Sequence, residues 1–126
     1  MNDDPQTGRP AELVRAYFAA YETGDRRAIE AILDEGFTFS SPQDDRIDRA
    51  TYLERCWPGS GKIRAVRIRQ LFTEGSEALV RYEAELTSGA TYRGAEFFRT
   101  DGERIREVEA YFGHDAAYLH AIFAAA

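Results

Sequence analysis

The stretch "TYRGAEFFRTDGERIREVEAYFG", residues 91–113, contains two strand-like segments on either side of a turn signal. The dipeptide Asp101-Gly102 is typical of tight hairpins, because the central positions of such turns favour positive φ. On each side of it, apolar and charged side chains alternate with the period of two that is typical of β-strands. The stretch therefore predicts an antiparallel hairpin with strands over residues 91–100 and 103–113.

Two further strands are predicted before this hairpin, over residues 63–74 and 77–88. The second of them alternates between an apolar and a charged side. The apolar side consists of Val80, Tyr82, Ala84 and Leu86, and the charged side of Arg81, Glu83 and Glu85. Together with residues 91–113 they predict a four-stranded antiparallel meander.

The N-terminal part of the chain has helical patterns. Over residues 10–24, an apolar stripe recurs at helical spacing after Pro10, which suits the first turn of a helix. A second helix is predicted from Asp25 as N-cap to Gly36 as its end, and a short strand over residues 37–41 follows it. The stripe of the first helix consists of Val14, Tyr17, Phe18 and Tyr21, and the buried face of the second of Ile29, Ile32 and Leu33.

A third helix is predicted after Asp48 as N-cap, ending at Pro58. A last short helix is predicted in the tail, with Leu119, Ile122 and Phe123 as its apolar face. Helices kept separate from a hairpin-linked sheet indicate an α+β fold with the helices on one face of the sheet.

The length of 126 residues indicates one domain, which we expect over residues 10–126 after a disordered tail over residues 1–9. A chain of this length buries roughly two-thirds of its unfolded surface, so it folds without a disulfide or a metal. Its hydrophobic content of 44% is ordinary for a globular protein.

Composition also excludes several classes of function. A net charge of −6 argues against nucleic acid as a partner. One cysteine, and two histidines at a spacing that is not a helix-face pair, argue against a metal site, and no nucleotide-binding motif is present. We expect no cofactor. No apolar run approaches the roughly 20 residues of a membrane span, and no signal pattern opens the chain, so we expect a soluble cytoplasmic protein without membrane contact.

The alternation of the last strand assigns two faces to the sheet. Val108, Ala110 and Phe112 are expected to face the helices, while Glu107 and Glu109 face outward with Tyr111, beside the charges of the neighbouring strands. A face of paired charges and tyrosine is either solvated or docked onto a second copy. We expect a homodimer through this outer face.

The helix-facing side of the sheet is expected to hold a pocket. Buried tyrosine hydroxyls need partners, and mostly apolar walls with a few polar groups are typical of small-molecule sites. The alternative is a closed core that these aromatic residues fill. The residues assigned to the pocket, for an apolar small molecule, are Tyr17, Phe39, Ser41, Cys56, Trp57, Tyr82, Ala95, Phe97, Val108 and Phe112.

Two stretches together resemble the nuclear-transport-factor-2-like superfamily, and within it the SnoaL-like and ketosteroid-isomerase-like branch. They are "LVRAYFAAYETGDRRAIEAILDEGFTFSSP", residues 13–42, and "YRGAEFFRTDGERIREVEAYFG", residues 92–113. The resemblance implies a cone-shaped, curved antiparallel (mixed) sheet wrapped over three N-terminal helices. It also implies an apolar pocket at the wide end and frequent dimers through the outer sheet face.

The resemblance transfers activity less completely. Steroid isomerases of this branch use a tyrosine on the first helix, an aspartate before a proline as general base, and a protonated aspartate on the third meander strand. Tyr17 keeps the tyrosine, but Ser41 stands at the base and Ala95 at the second acid. A serine without a neighbouring base does not take a proton from carbon. The resemblance thus implies isomerase, cyclase or dehydratase chemistry without that acid pair, with Tyr17 and Ser41 as catalytic candidates. The alternative is a non-catalytic binder or a dimeric scaffold.

Other groups are candidates to replace the missing acid. Asp44 and Asp45 follow Ser41 in a loop, and His114 follows the last strand; the alternative for each is a solvated surface position. In the pocket, Glu96 would be desolvated, and its pKa would rise as a general base requires. Strand parity opposes this, because a strand that turns Ala95 and Phe97 toward the pocket turns Glu96 outward.

Overall fold

The computed structural model of the protein describes residues 8–112, which form an α+β fold as predicted. Its α-helices are α1 (Arg9–Thr23), α2 (Arg26–Ile32) and α3 (Arg49–Arg55), and a 3₁₀ helix spans Trp57–Lys62. Its strands are β1 (Leu33–Ser41), β2 (Asp44–Asp48), β3 (Ile63–Glu74), β4 (Glu77–Leu86), β5 (Thr91–Thr100) and β6 (Ile105–Phe112).

The six strands of the described chain form one mixed, open sheet in the order β2-β1-β6-β5-β4-β3. Strands β3 to β6 are the predicted meander, and β3 and β5 have the predicted bounds. Strand β1 joins it by pairing in parallel with β6, and β2 folds back antiparallel on β1. Helix α1 packs against β3, β4 and β5, and α3 packs against β1 and β2, so the helices cover one face of the sheet, here called the inner face.

Two predicted aspartate caps position the short helices. The Asp25 side chain accepts a hydrogen bond from the Ala28 amide at 3.1 Å, and Asp48 accepts one from the Thr51 amide at 2.9 Å. The bonds from Thr51 lower the pKa of Asp48, because they favour its ionised form. Each cap satisfies an amide that the first helical turn leaves unpaired.

The predicted end of α2 at Gly36 is wrong. The helix ends at Ile32, and the next residues already belong to β1. Leu33 pairs with Ile105 of β6, and both side chains are fully buried. The strand pairing and its burial outweigh the helical spacing of the apolar residues, and Gly36 does not adopt the left-handed φ of a helix C-cap.

Two turns also differ from expectation. The loop after Ser41 contains an additional strand, β2, so "FTFSSPQDD" belongs to a tight hairpin in which Ser41 pairs with Asp44. The connection between β5 and β6 spans residues 101–104, with positive φ at Gly102 and not at Asp101. The Asp101 carboxylate holds it by accepting hydrogen bonds from the amides of Glu103 and Arg104.

The core lies between the helices and the inner face of the sheet. Tyr17 of α1 packs edge-on against Phe98 of β5 with ring centroids 5.1 Å apart, and Tyr52 of α3 packs against Phe37 of β1 at 5.0 Å. All four rings are buried. Such contacts fix α1 and α3 against the sheet, and with them the hydroxyl groups of their tyrosines.

Some predicted features lie outside the described residues. They are the N-terminal tail up to residue 7, the tail helix with Leu119, Ile122 and Phe123, and His114. Between residues 8 and 112, no helix has both the length and the apolar character needed to cross a membrane.

Candidate functional site

A cavity of about 410 Å³ opens between α1, the 3₁₀ helix and the inner face of the sheet. Its walls are mainly aromatic and aliphatic, with a few polar groups among them. Six of the ten residues predicted for a pocket line it: Tyr17, Phe39, Ser41, Cys56, Tyr82 and Phe112.

The other four predicted pocket residues lie elsewhere. Trp57 is buried and packs against Tyr21 with ring centroids 5.0 Å apart, and Val108 is fully buried in the core. Ala95 and Phe97 point to the opposite, outer face of the sheet, so their assignment to the pocket is wrong. The reason is the register of β5: Glu96, which lies between them, pairs with Val80 and Ala110, and both of these face inward.

Glu96, between Ala95 and Phe97, lies in the cavity wall with 6% of its surface exposed. The Tyr82 hydroxyl donates a hydrogen bond to Glu96 Oε2 at 2.7 Å. The other oxygen, Oε1, is buried and has no hydrogen-bond partner within residues 8–112. Burial raises the pKa of Glu96 to about 7, although the Tyr82 hydrogen bond lowers it. The carboxyl group therefore exchanges its proton near neutral pH.

Three tyrosine hydroxyls form a chain that ends at the cavity. The Tyr52 hydroxyl donates to that of Tyr17 at 2.9 Å, and a short hydrogen bond joins the hydroxyls of Tyr21 and Tyr52. Each phenol has one hydrogen. Since Tyr52 gives its hydrogen to Tyr17, Tyr21 supplies the hydrogen between itself and Tyr52. Tyr17 and Tyr21, at the two ends of this chain, both line the cavity, so a phenol is placed to donate a hydrogen bond to a molecule bound there.

Burial keeps these tyrosines protonated. It is the largest cause that raises the pKa of Tyr17 and of Tyr52 well above the ordinary value, and the neighbouring phenols and the charge of Glu96 add to it at Tyr17. Tyr17 is therefore a neutral donor whose hydrogen bond is strengthened by the two behind it.

The mouth of the cavity carries the β1–β2 hairpin. Ser41 Oγ accepts a hydrogen bond from the Gln43 amide at 3.1 Å. The same hydroxyl donates a long hydrogen bond to Asp44 Oδ2 at 3.5 Å. The Asp44 side chain is only 8% exposed and lines the cavity, whereas Asp45 is exposed and does not. Arg55 Nη1 lies 2.9 Å from Asp44 Oδ1, an ion pair without the geometry of a directed hydrogen bond.

Cys56 lies in the same wall and is half-buried. Burial, and after it the charge of Asp44, raises the pKa of the Cys56 thiol to about 11, against a lowering by Arg55. A neutral thiol is a poor nucleophile, so Cys56 serves as wall rather than as reactive group. Within residues 8–112, no three acidic, histidine or cysteine side chains cluster so as to hold a metal ion.

Sequence patterns do not assign Glu96 to the cavity and do not reveal the tyrosine chain. A signal for Glu96 was present, because its carboxylate interrupts an aromatic run in a central strand. The chain of Tyr21, Tyr52 and Tyr17 has no such signal, since it joins α1 to α3 across 31 and 35 positions of sequence. Together these groups give the cavity an acid–base group and a fixed neutral donor.

Comparison with known proteins identifies relatives of this fold. The family model described as a SnoaL-like domain matches residues 14–108. An NTF2-like protein of unknown function from Cytophaga hutchinsonii is similar at 22% identity and a TM-score of 0.69, over 90% of this chain and 96% of that one. Comparison with curated proteins gives no significant match.

Two other solved structures have names that suggest enzymes. A protein provisionally named ketosteroid isomerase, from Kribbella flavida, is 21% identical with a TM-score of 0.72, over 88% of this chain and 82% of that one. An LEH-like epoxide hydrolase of M. tuberculosis is 22% identical with a TM-score of 0.70, over 87% of this chain and 82% of that one. Likeness at this level of identity establishes the fold alone. From the family match and these folds together, the chain belongs to the SnoaL-like domain family, with the NTF2-like α+β fold.

Proposed function

We propose that the cavity binds a small, largely apolar carbonyl compound and moves a proton on it, as in isomerase, cyclase or dehydratase chemistry. The observation that carries the proposal is Glu96, a buried carboxylate in the cavity wall with one oxygen free of any partner in the described chain. Its pKa of about 7 suits a general base at neutral pH, because such a base must be partly ionised and still basic.

The roles follow from the geometry. Glu96 Oε1 takes a proton from a carbon next to the carbonyl group, and the electron pair of the broken C–H bond moves onto the carbonyl oxygen. Tyr17, which lines the cavity, donates its hydroxyl hydrogen to that oxygen, where the negative charge develops. Glu96 then returns the proton as the electron pair moves back from the oxygen. The proton goes to the same carbon, which gives exchange, or to the far carbon of a C=C bond conjugated with the enolate, which gives isomerisation, and neither step needs a cofactor. Ser41 shapes the β1–β2 turn and is not the base, since its hydroxyl is engaged with Gln43 and Asp44.

The family resemblance supports this assignment in part. Proton transfer agrees with the provisional name ketosteroid isomerase of the K. flavida structure, which has the same fold. The base is at a different place, however, because Ser41 and Ala95 occupy the positions of the steroid isomerase acids. We therefore propose the same class of reaction with a base from the middle of β5.

Deuterium exchange tests the proposal directly. Small apolar ketones are incubated with the protein in heavy water, and NMR follows deuterium uptake at the carbons next to the carbonyl group. We expect uptake faster than in buffer, and we expect Tyr17→Phe to slow it by about 10²–10³-fold, the usual loss for one donor to an oxyanion. Asp45→Asn, which changes an exposed acid outside the cavity, is the matched control and should retain the rate.

The exchange experiment also distinguishes an enzyme from a protein that only binds the ketone. If ketones shift the NMR signals of cavity residues but exchange no faster than in buffer, the protein is a non-catalytic binder. If Tyr17→Phe keeps the full rate, Tyr17 is not the donor.

We also propose that the protein forms a homodimer through the outer face of its sheet. Phe72 of β3, Leu79 of β4 and Phe97 of β5 are neighbours in register and form an apolar row across this face. Phe72 is 52% exposed and Leu79 48%. Pairs of opposite charge flank the row, for example Arg67 with Glu85 and Arg99 with Glu107. A second copy turned by a two-fold axis would cover the row with its own.

The dimer is tested by Leu79→Asp, which puts a charge in the centre of the apolar row. We expect the variant to elute as a monomer while the unchanged protein elutes as a dimer, with masses from light scattering, because an unpaired charge at an interface is costly to desolvate. Ala31→Asp adds the same charge on an exposed position of α2 and should remain dimeric. Equal masses for Leu79→Asp and the unchanged protein would count against this interface.

A further inference from the structure

Gly94 of β5 lies directly opposite Tyr82 of β4 in the register of the sheet. A Cβ atom at Gly94 would lie 2.6 Å from the Tyr82 hydroxyl oxygen and 2.7 Å from its Cζ, closer than real Cβ contacts. The φ of Gly94 is not positive, so space and not backbone conformation requires glycine here. The end of the Tyr82 ring therefore lies against the bare backbone of β5.

From this position Tyr82 reaches Glu96, which follows two residues further along β5 on the same face of the sheet. The Tyr82 hydroxyl donates its hydrogen bond to Glu96 Oε2 at 2.7 Å, and Oε1 has no partner among residues 8–112. Phe18 of α1 packs against the Tyr82 ring with centroids 4.9 Å apart, so the ring lies between α1 and the sheet. The ring cannot withdraw from β5 without disturbing this contact.

We propose that Gly94 is a positioning residue: by lacking a side chain, it lets Tyr82 lie along β5 and so determines which oxygen of Glu96 accepts a hydrogen bond and which is left unpaired. The catalytic consequence rests on the proposed function, but the link from Gly94 through Tyr82 to Glu96 does not.

The surroundings of Glu96 make this link measurable. The charge of Glu96 raises the pKa of five phenols near it, and burial is the largest cause of the raised pKa for each. All five are therefore neutral where Glu96 titrates, and the Tyr82 hydrogen bond is the contact that favours its ionised form. The phenols are Tyr82 on β4, Tyr92 on β5, Tyr17 and Tyr21 on α1, and Tyr52 on α3.

The test is an NMR titration of the Glu96 carboxyl carbon in the full chain. We expect Gly94→Ala to displace Tyr82 and raise the Glu96 pKa, with an acid dissociation constant about tenfold smaller. Tyr82→Phe should do the same, and the double variant should equal Tyr82→Phe alone, because both changes remove one hydrogen bond. Gly61→Ala, whose Cβ would meet nothing within 4 Å, is the matched control and should keep the original pKa.

A folded Gly94→Ala protein with an unchanged Glu96 pKa overturns the proposal, as does a double variant whose effect is the sum of the two single ones. If Gly94→Ala does not fold, combining it with Tyr82→Ala removes the ring that the new Cβ meets and should restore folding. Failure of that pair to fold, while Tyr82→Ala alone folds, also overturns the proposal. A pKa that moves as expected in a protein without proton-transfer activity would remove the proposed function and leave this link intact.

Discussion

Glu96→Gln is expected to slow the proposed proton transfer by about 10²–10⁴-fold, the usual contribution of a positioned general base. Glutamine has the same shape and can still accept the Tyr82 hydrogen bond, but it cannot take up a proton. The loss should appear in kcat with little change in KM, since the side chain reacts with the substrate rather than holding it. Initial rates of exchange or isomerisation with the most reactive ketone measure both constants.

The pH dependence of the unchanged protein gives a second check of the same assignment. Because Glu96 acts as the ionised base, kcat/KM should rise with pH and level off above the Glu96 pKa of about 7. Asp44→Asn tests the rival base at the cavity mouth. Full activity in Glu96→Gln, together with its loss in Asp44→Asn, would move the base from β5 to the β1–β2 hairpin.

The sheet could be predicted from the sequence where its strands are neighbours along the chain. Alternating side chains and short turns specify β3 to β6, and the predicted bounds of β3 and β5 agree with the structure. The parallel pairing of β1 with β6 has no local signal, because Leu33 meets Ile105 only after the meander has formed. The same long-range contact explains why Leu33 belongs to a strand although its spacing suits α2.

The wall of the cavity was harder to predict, for a reason visible in β5. Phe97 and Phe98 are adjacent, so each face of this strand carries a large aromatic residue and alternation alone does not say which face is buried. Cross-strand pairing decides, by placing Phe98 opposite Ala78 and Val108, which are all buried. Glu96 follows inward with Phe98. A carboxylate on the buried side of a strand is unfavourable for folding, which is why sequence patterns argue against the position that the structure shows.

The unfavourable burial of the Glu96 carboxylate predicts that the stability of the protein depends on pH. Glu96 has a pKa of about 7 in the folded protein, against an ordinary value of 4.5. Between these values the folded state binds more protons than the unfolded state, so stability falls as pH rises through this range and stays reduced above it. Glutamine does not titrate. We therefore expect Glu96→Gln to raise the free energy of unfolding by about 3 kcal/mol at about pH 8.5, and by much less at about pH 5.

Urea unfolding of both proteins at the two pH values measures this difference, and Glu103→Gln is the control. Glu103 lies exposed in the turn before β6, so its replacement should give no gain that depends on pH. An equal gain from Glu96→Gln at both values would mean that the buried charge is not the cause. A loss at the higher value would make Glu96 a stabilising acid of the core. If Glu96→Gln both stabilises the protein at the higher pH and slows proton transfer, the carboxylate is retained for its chemistry, because folding alone would favour glutamine at this position.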